Sequence, residues 1–154
     1  MTVRKASLID IPSLIEMRIL YLNEDNGPLE PELETQVRKQ LPDYLSAKIG
    51  KELYAFIAED GGKTVGCCML LVNEKPAGPR FPHGLTGTVL NVYTRPEYRR
   101  QGIAGGLMGL LIAQAKELRL DIIELQATPD GAKLYKSLGF EQDFSRYTHM
   151  KMVF

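Results

Sequence analysis

The chain has no tryptophan, only two cysteines and two histidines, and no net charge, since 19 basic side chains are balanced by 19 acidic ones. Each scarcity removes a class of protein. Zero net charge argues against broad electrostatic capture of nucleic acid or an anionic membrane, and leaves only a local basic cluster to consider. The cysteines, Cys67 and Cys68, are neighbours. They cannot form an ordinary structural disulfide with each other, and on a strand their side chains would point to opposite faces. A disulfide framework is thereby excluded, a reducing cytosol fits, and both thiols are expected to be packing residues. The histidines, His83 and His149, lie far apart, and no Cys/His cluster has ligand spacing, so no metal is expected. No apolar run approaches the roughly 20 residues of a membrane span, and residues Met1 to Asp10 carry no export signal. A soluble, cytoplasmic protein is the expectation.

What is present suits one domain. The 154 residues are 44% hydrophobic and 25% charged, enough to bury a core without staples, and residues 1–154 are read as a single domain. Thr2 to Ala6 suits a first strand. Asp10 and Pro12 mark a helix start, with Ile11, Leu14, Ile15, Ile19 and Leu22 at helical spacing and Arg18 as the polar exception. A second helix is expected from Pro31 to about Ile49, kinked or divided at Pro42. Glu52–Glu59 and Lys63–Val72 form a hairpin around Asp60-Gly61-Gly62. Asn73 to Gly87, rich in proline and glycine, is a loop. Then follow a strand at Thr88–Thr94, a helix at Ile103–Arg119, a strand at Asp121–Ala127, a short helix at Pro129–Leu138 stopped by Gly139, and one or two closing strands within Phe144–Val153. The fold class is α/β, a mixed sheet flanked by helices.

Chemistry is suggested first at Arg99-Arg100-Gln101-Gly102-Ile103-Ala104, where a strand hands over to a long helix. The first turn of a helix has unpaired N–H groups and a partial positive charge, so a pyrophosphate can settle there. Gly102 lacks the Cβ that would block close approach, Ala104 is small, and Arg99 and Arg100 add charge. A solvated basic turn is the plainer alternative for the pattern alone. Neither a P-loop nor a Gly-x-Gly-x-x-Gly dinucleotide fingerprint occurs.

Downstream stands Leu134-Tyr135-Lys136-Ser137-Leu138-Gly139-Phe140. With the strand Thr88–Thr94, the Arg99-x-x-Gly102-x-Ala104 turn, and the helix and strand between, the chain resembles the GNAT superfamily of N-acetyltransferases. The likeness is strongest from Thr88 to Phe140. It implies a mostly antiparallel mixed sheet with a splayed parallel strand pair, into which the pantetheine arm of acetyl-CoA inserts as an added strand would. By resemblance, Val92, Tyr93 and Thr94 border that arm, with the Val92 N–H polarising the thioester carbonyl. The N–H groups of Arg100, Gln101, Gly102, Ile103 and Ala104 take the pyrophosphate. Thr128 stands where many relatives carry an Asn that touches the arm.

The implied reaction is direct attack of an amine, on a small molecule or a peptide, within a ternary complex. Tyr135 is the implied catalytic acid, a phenol protonating the departing thiolate. Many relatives begin the fourth strand with a Glu that serves as base, whereas this strand reads Thr88-Val89-Leu90-Asn91. The base is left among Glu124, water near Asn91, and the backbone. Asn91 and Tyr93 lie on one strand face and are candidates to line the acceptor pocket. Acidic residues from Glu24 to Glu34 either attract a cationic amine or form a solvated helix face. The resemblance makes a homodimer one expected assembly, although no residue establishes it. A non-catalytic acyl-CoA-binding regulatory domain remains the alternative, and a nucleic-acid module built on Arg95, Arg99 and Arg100 is disfavoured.

Overall fold

Strand-forming runs rich in aliphatic residues assemble one five-stranded sheet in a computed structural model that describes all residues, 1–154. The strands are β1 (Thr2–Lys5), β2 (Leu53–Asp60), β3 (Lys63–Glu74), β4 (Leu85–Thr94) and β5 (Ile122–Glu124), and the helices are α1 (Ile11–Asn26), α2 (Pro31–Lys48), α3 (Ile103–Glu117) and α4 (Ala132–Ser137). Spatial order follows chain order. β1 to β4 are antiparallel, while β4 and β5 run parallel across the α3 crossover. The β2–β3 hairpin turns on Gly61 and Gly62, both at positive φ, the conformation a two-residue turn demands.

The sheet buries both faces. One face, with Leu53, Ala55, Ile57 and Met69, packs under Leu14 and Met17 of α1 and Leu41 and Leu45 of α2; the other, with Phe56, Val65 and Leu70, packs under Leu107 and Leu111 of α3. Cys67 belongs to the first cluster and Cys68 to the second, as period-two alternation requires. Burial pushes the Cys67 thiol up to about 12 and the Cys68 thiol well above its ordinary value.

Several expectations are corrected. Pro42 sits inside an undivided α2. Asp10 precedes α1, but its carboxylate turns back to accept the Ser7 N–H (2.8 Å) and the Arg4 guanidinium (2.8 and 2.9 Å). β4 begins three residues earlier than expected and β5 is reduced to three residues. No closing strand forms in Phe144–Val153. After Gly139, at φ +98°, the chain leaves the sheet, and residues 141–154 are all exposed and make no backbone–backbone hydrogen bond. The Arg80–Asp143 pair (3.5 Å) is the last ion pair along the segment, and the outer edge of β5 stays open.

A bulge in β4 decides which side chains reach which face. Asn91 adopts φ +53°, and the register with β3 shifts between Cys67 and Met69. Val89 packs on the α3 side, Leu90 on the α1 side, Val92 on the α3 side again and Tyr93 on the α1 side. Strict alternation would have put Tyr93 with Val89.

Candidate active site

β4 and β5 pair only from Thr86–Thr88 to Ile122–Glu124. Beyond that point β4 continues for six residues, Val89 to Thr94, with no strand beside it on the β5 side. The expected splayed pair is therefore present, and Val92, Tyr93 and Thr94 lie on its unpaired stretch. The Thr94 Oγ1 is buried with no hydrogen-bond partner.

The start of α3 stands beside this opening because Gly66 lets the helix approach. A Cβ at Gly66 would lie 3.0 Å from Ile103 Cγ2 and 3.3 Å from the Tyr93 carbonyl. In the connecting turn, Arg100 (φ +63°) and Gly102 (φ +79°) are left-handed. The first helical bond is Gly106 N–H to Gly102 carbonyl, at 3.0 Å. The N–H groups of Arg100, Gln101, Gly102, Ile103, Ala104 and Gly105 consequently donate to no carbonyl. Such a run, at the positive end of a 15-residue helix, can receive an anion.

The two arginines of the turn behave differently. The Arg99 Nη2 donates to both Glu24 oxygens (2.8 and 2.6 Å), its Nε donates to the Thr94 carbonyl (2.9 Å), and its guanidinium lies 5.7 Å from the Tyr93 ring centre. Glu24 holds the Arg99 pKa above its ordinary value. Arg100 has no carboxylate partner.

Tyr135 is half-buried on α4 and meets Phe140 edge-on at 5.9 Å. Gly131 leaves space for it, since a Cβ there would be 3.1 Å from the ring. The phenol has no hydrogen-bond partner in the protein, and burial, followed by smaller effects of Cys68 and Tyr21, raises its pKa. Val92 and Tyr135 pack against the same cluster. Tyr135 and Thr128 line one cavity of about 660 Å³ along β5 and α4, together with Ile123, Glu124, Leu125 and Phe140. Thr128 also shapes the start of α4: its Oγ1 accepts the Gly131 N–H at 3.2 Å, and its carbonyl accepts the N–H groups of Gly131 and Ala132.

On the opposite face α1 supplies residues that sequence reasoning did not assign. Arg18 donates to Asn91 Oδ1 (3.2 Å) and stacks over Tyr21 at 5.6 Å; Asn91 Nδ2 contacts Cys67 Sγ at 3.2 Å. Asn91 is thus occupied by neighbours and offers no basic group. Arg18, the polar interruption in an apolar helix face, was the available signal. Glu124 is exposed, and no carboxylate stands on β4. His83 lies on the surface with its ring against Asp121 (2.5 Å), away from the turn. No group of three or more His, Cys, Asp or Glu is placed to hold a metal.

Solved structures share this fold. A predicted acetyltransferase of Clostridium acetobutylicum, solved with acetyl-CoA, is 29% identical with TM-score 0.84, over 97% of this chain and 95% of that one. A GCN5-related N-acetyltransferase from Ralstonia eutropha (22% identical, TM-score 0.80, 97% of both chains) has the same fold. So does a ribosomal-protein-alanine N-acetyltransferase from Brucella melitensis (22% identical, TM-score 0.69, 98% of this chain and 100% of that one). No curated protein matches the chain. The acetyltransferase (GNAT) domain profile matches residues 42–142, spanning the hairpin, the open strand pair, the anion turn and Tyr135, and the chain belongs to that family.

Proposed function

We propose that the protein is an N-acetyltransferase that moves the acetyl group of acetyl-CoA to an amine of a small molecule or peptide, by direct attack in a ternary complex. The observation that carries this reading is the run of six unpaired N–H groups, Arg100 to Gly105, beside the opening between β4 and β5. Its first three positions are held by two left-handed residues and its last three by the helix start, so the donors are fixed before any anion arrives. Arg100 adds a free positive charge, while Arg99 anchors the turn to α1 and β4.

The bound cosubstrate would supply an acyl group activated as a thioester. The edge of Val92 to Thr94 that faces away from β3, with no strand beside it, would hold its amide arm, with the Val92 N–H directed at the carbonyl oxygen and the orphaned Thr94 Oγ1 available for a hydrogen bond. Thr128 would contribute its free hydroxyl proton. Tyr135 would keep its proton for the leaving sulfur; its raised pKa and unshared hydroxyl suit a donor to a basic thiolate. The acceptor would come from the α1 face, where Arg18, Tyr21 and Asn91 meet. The amine proton would leave through water, because the nearest strand carries no carboxylate.

That missing carboxylate favours a second reading, an acyl-CoA-binding regulatory domain without turnover. Two measurements separate the readings. Calorimetry with acetyl-CoA should show binding that Gly102→Glu abolishes, as a carboxylate then occupies the anion turn. No side chain or backbone lies within 4 Å of a Cβ at Gly102, so the variant should stay folded despite its left-handed φ. Background-corrected CoA release against a panel of amines should then show turnover. Binding without turnover on any amine selects the regulator, and unchanged affinity in folded Gly102→Glu rejects the anion turn altogether.

A further inference from the structure

Arg18 is a cation without an anion. It lies half-buried on α1, its Nη1 donates to Asn91 Oδ1 (3.2 Å), and its guanidinium stacks over the Tyr21 ring at 5.6 Å. It makes no other hydrogen bond and no ion pair. The other two guanidiniums that meet α1 are both neutralised by it: Arg95 holds Glu16 at 2.6 Å, and Arg99 holds Glu24. Withdrawing a charge from water costs free energy unless a counter-charge meets it. Only one N–H of Arg18 is used, which leaves the planar fork that takes a carboxylate through parallel hydrogen bonds.

The same side chain lines a groove of about 520 Å³ between α1 and α2, a volume within the range of small-molecule sites. Arg18, Leu22 and Asn26 fall four residues apart and share one face of α1, with Arg18 at one end of that wall. Leu22, Leu29, Leu33 and Val37 give the groove apolar surface, and Leu33 is 47% exposed there. Its remaining polar lining, Asn26, Gln36 and Gln40, is uncharged. No carboxylate lines it. Glu24 and Glu34, from the acidic run, are turned to Arg99 and Arg38 instead. One unpaired cation among apolar and amide walls disfavours a polyamine and suits an anion with an apolar body.

The position of Arg18 also sets where the nucleophile must be. Its partner Asn91 immediately precedes Val92, whose N–H is the proposed contact of the thioester carbonyl. Tyr21, against which the guanidinium stacks, lies near enough to Tyr135 to raise its pKa. An acid group on Arg18 therefore stands within a residue or two of the reacting carbon, and the amine of the same molecule has to lie close to that acid group. We propose that the groove binds a free α-amino acid with an apolar side chain, and that this amino acid is the acetyl acceptor. Its carboxylate forks onto Arg18, its side chain lies along Leu22 and Leu33, and its nitrogen faces the opening between β4 and β5. A peptide does not fit, because its free carboxylate is remote from its N-terminal nitrogen. This acceptor class rests on the acetyl-transfer reading and narrows it. The nitrogen lone pair forms the N–C bond to the acetyl carbon as the C–S bond breaks. The sulfur takes the Tyr135 proton, the nitrogen gives its own to water, and water returns one to Tyr135, so the products are an N-acetyl amino acid and CoA.

The experiment compares leucine, methionine and phenylalanine with their carboxamides and with the matching amines that lack the carboxyl group. Two readouts are taken on the full chain. Shifts in the NMR spectrum of the ¹⁵N-labelled protein with CoA present report binding and need no turnover; kcat/KM for CoA release from acetyl-CoA reports transfer. The acids should shift Arg18, Leu22 and Asn91. They should exceed the carboxamides by about 10- to 100-fold in affinity and in kcat/KM, the worth of a charge-assisted pair. That order runs against intrinsic reactivity, since the amine of a carboxamide is the more readily deprotonated. Arg18→Gln should remove the preference and Arg18→Lys should keep part of it, both with unchanged circular dichroism. Carboxamides or simple amines that match the acids overturn the proposal, as does a preference that survives in folded Arg18→Gln, or the absence of any shift with the acids. Acids that bind through Arg18 without CoA release keep the amino-acid site and reject acetyl transfer. Release with simple amines and no preference for acids keeps acetyl transfer and rejects the amino-acid site. Should Arg18→Gln fail to fold, the comparison of acid with carboxamide in the unsubstituted chain decides alone.

Discussion

Glu24 near the end of α1 grips Arg99 with both carboxylate oxygens, at 2.6 and 2.8 Å from Nη2, and so ties the turn before α3 to the other side of the sheet. Both side chains are partly exposed, 40% for Arg99 and 49% for Glu24, which limits the pair to about 0–1 kcal/mol of stability. Its larger consequence is to fix Arg99, whose Nε donates to the Thr94 carbonyl, as a tie within the turn. Glu24→Gln should change the melting temperature little. It should weaken acetyl-CoA binding by about two- to fivefold, the equivalent of roughly 0.5–1 kcal/mol spent on ordering the turn. Calorimetry on the wild type and Glu24→Gln reads this directly; tighter binding in the variant would instead mean that Arg99, once freed, serves the anion better than it serves the turn.

A second charge cluster controls stability in acid. Asp10 is 7% exposed, and the Arg4 guanidinium lowers its pKa below the usual carboxylate value near 3.9. A depressed carboxylate contributes stability that is fully present above its unfolded pKa and lost as pH falls through the folded one. The wild-type protein should therefore lose this contribution only below about pH 4. Arg4 is 37% exposed, so the interaction is discounted for solvent, and Asp10→Asn should cost about 1–2 kcal/mol at pH 7. Urea unfolding at pH 7 and pH 3 should show the wild-type and variant stabilities converging in acid. Parallel curves would place the acid sensitivity elsewhere.

The adjacent cysteines make a sharper contrast. Both are fully buried, on opposite faces, with raised pKa values. Nucleophilic attack needs a thiolate and access, and the folded protein denies both. An aromatic disulfide reagent at pH 8 should titrate no thiol in the native protein and two after denaturation. Stoichiometric labelling of the native state would show an opening of β3 that the packing gives no reason to expect.

These residues also show where sequence reasoning reached and where it stopped. Cys67 and Cys68 were readable because alternation on a strand is a local rule. Gly61-Gly62 was readable because tight turns select glycine, and the Gly102 turn because a small residue stands there where a strand hands over to a helix. The open strand pair came from resemblance, and the pairing of β4 with β5 over only three residues agrees with it. The bulge at Asn91 was not legible: asparagine at φ +53° leaves no distinctive pattern, yet it moved Tyr93 to the α1 face. The commitment of Arg99 to Glu24 was equally hidden, because the two are 75 positions apart. The C-terminal segment misled for a physical reason. Its alternation is the pattern of a strand, but a pattern supplies no edge to pair with, and residues 141–154 make no backbone–backbone hydrogen bond.

Tyr135 gives the most direct test of the chemistry. Its ring is fixed by Phe140 and by the space above Gly131, whereas its hydroxyl touches no protein partner. Tyr135→Phe should therefore keep the fold and the acetyl-CoA affinity while lowering turnover. Loss of a general acid costs a factor of roughly 10² to 10⁴, less where water can reach the sulfur. The pH dependence carries the distinction. A proton donor works in its protonated form, so activity persists until pH rises through its pKa. Burial raises that pKa above the ordinary phenol value of about 10, which moves the basic limb upward rather than toward neutrality. With an amine whose chemistry limits the rate, the wild-type profile should rise as the amine deprotonates and fall only above about pH 10. In Tyr135→Phe the fall should vanish along with most of the rate. A variant within twofold of wild type across that range, with the same basic limb, would reduce Tyr135 to a packing residue and assign the leaving group's proton to solvent.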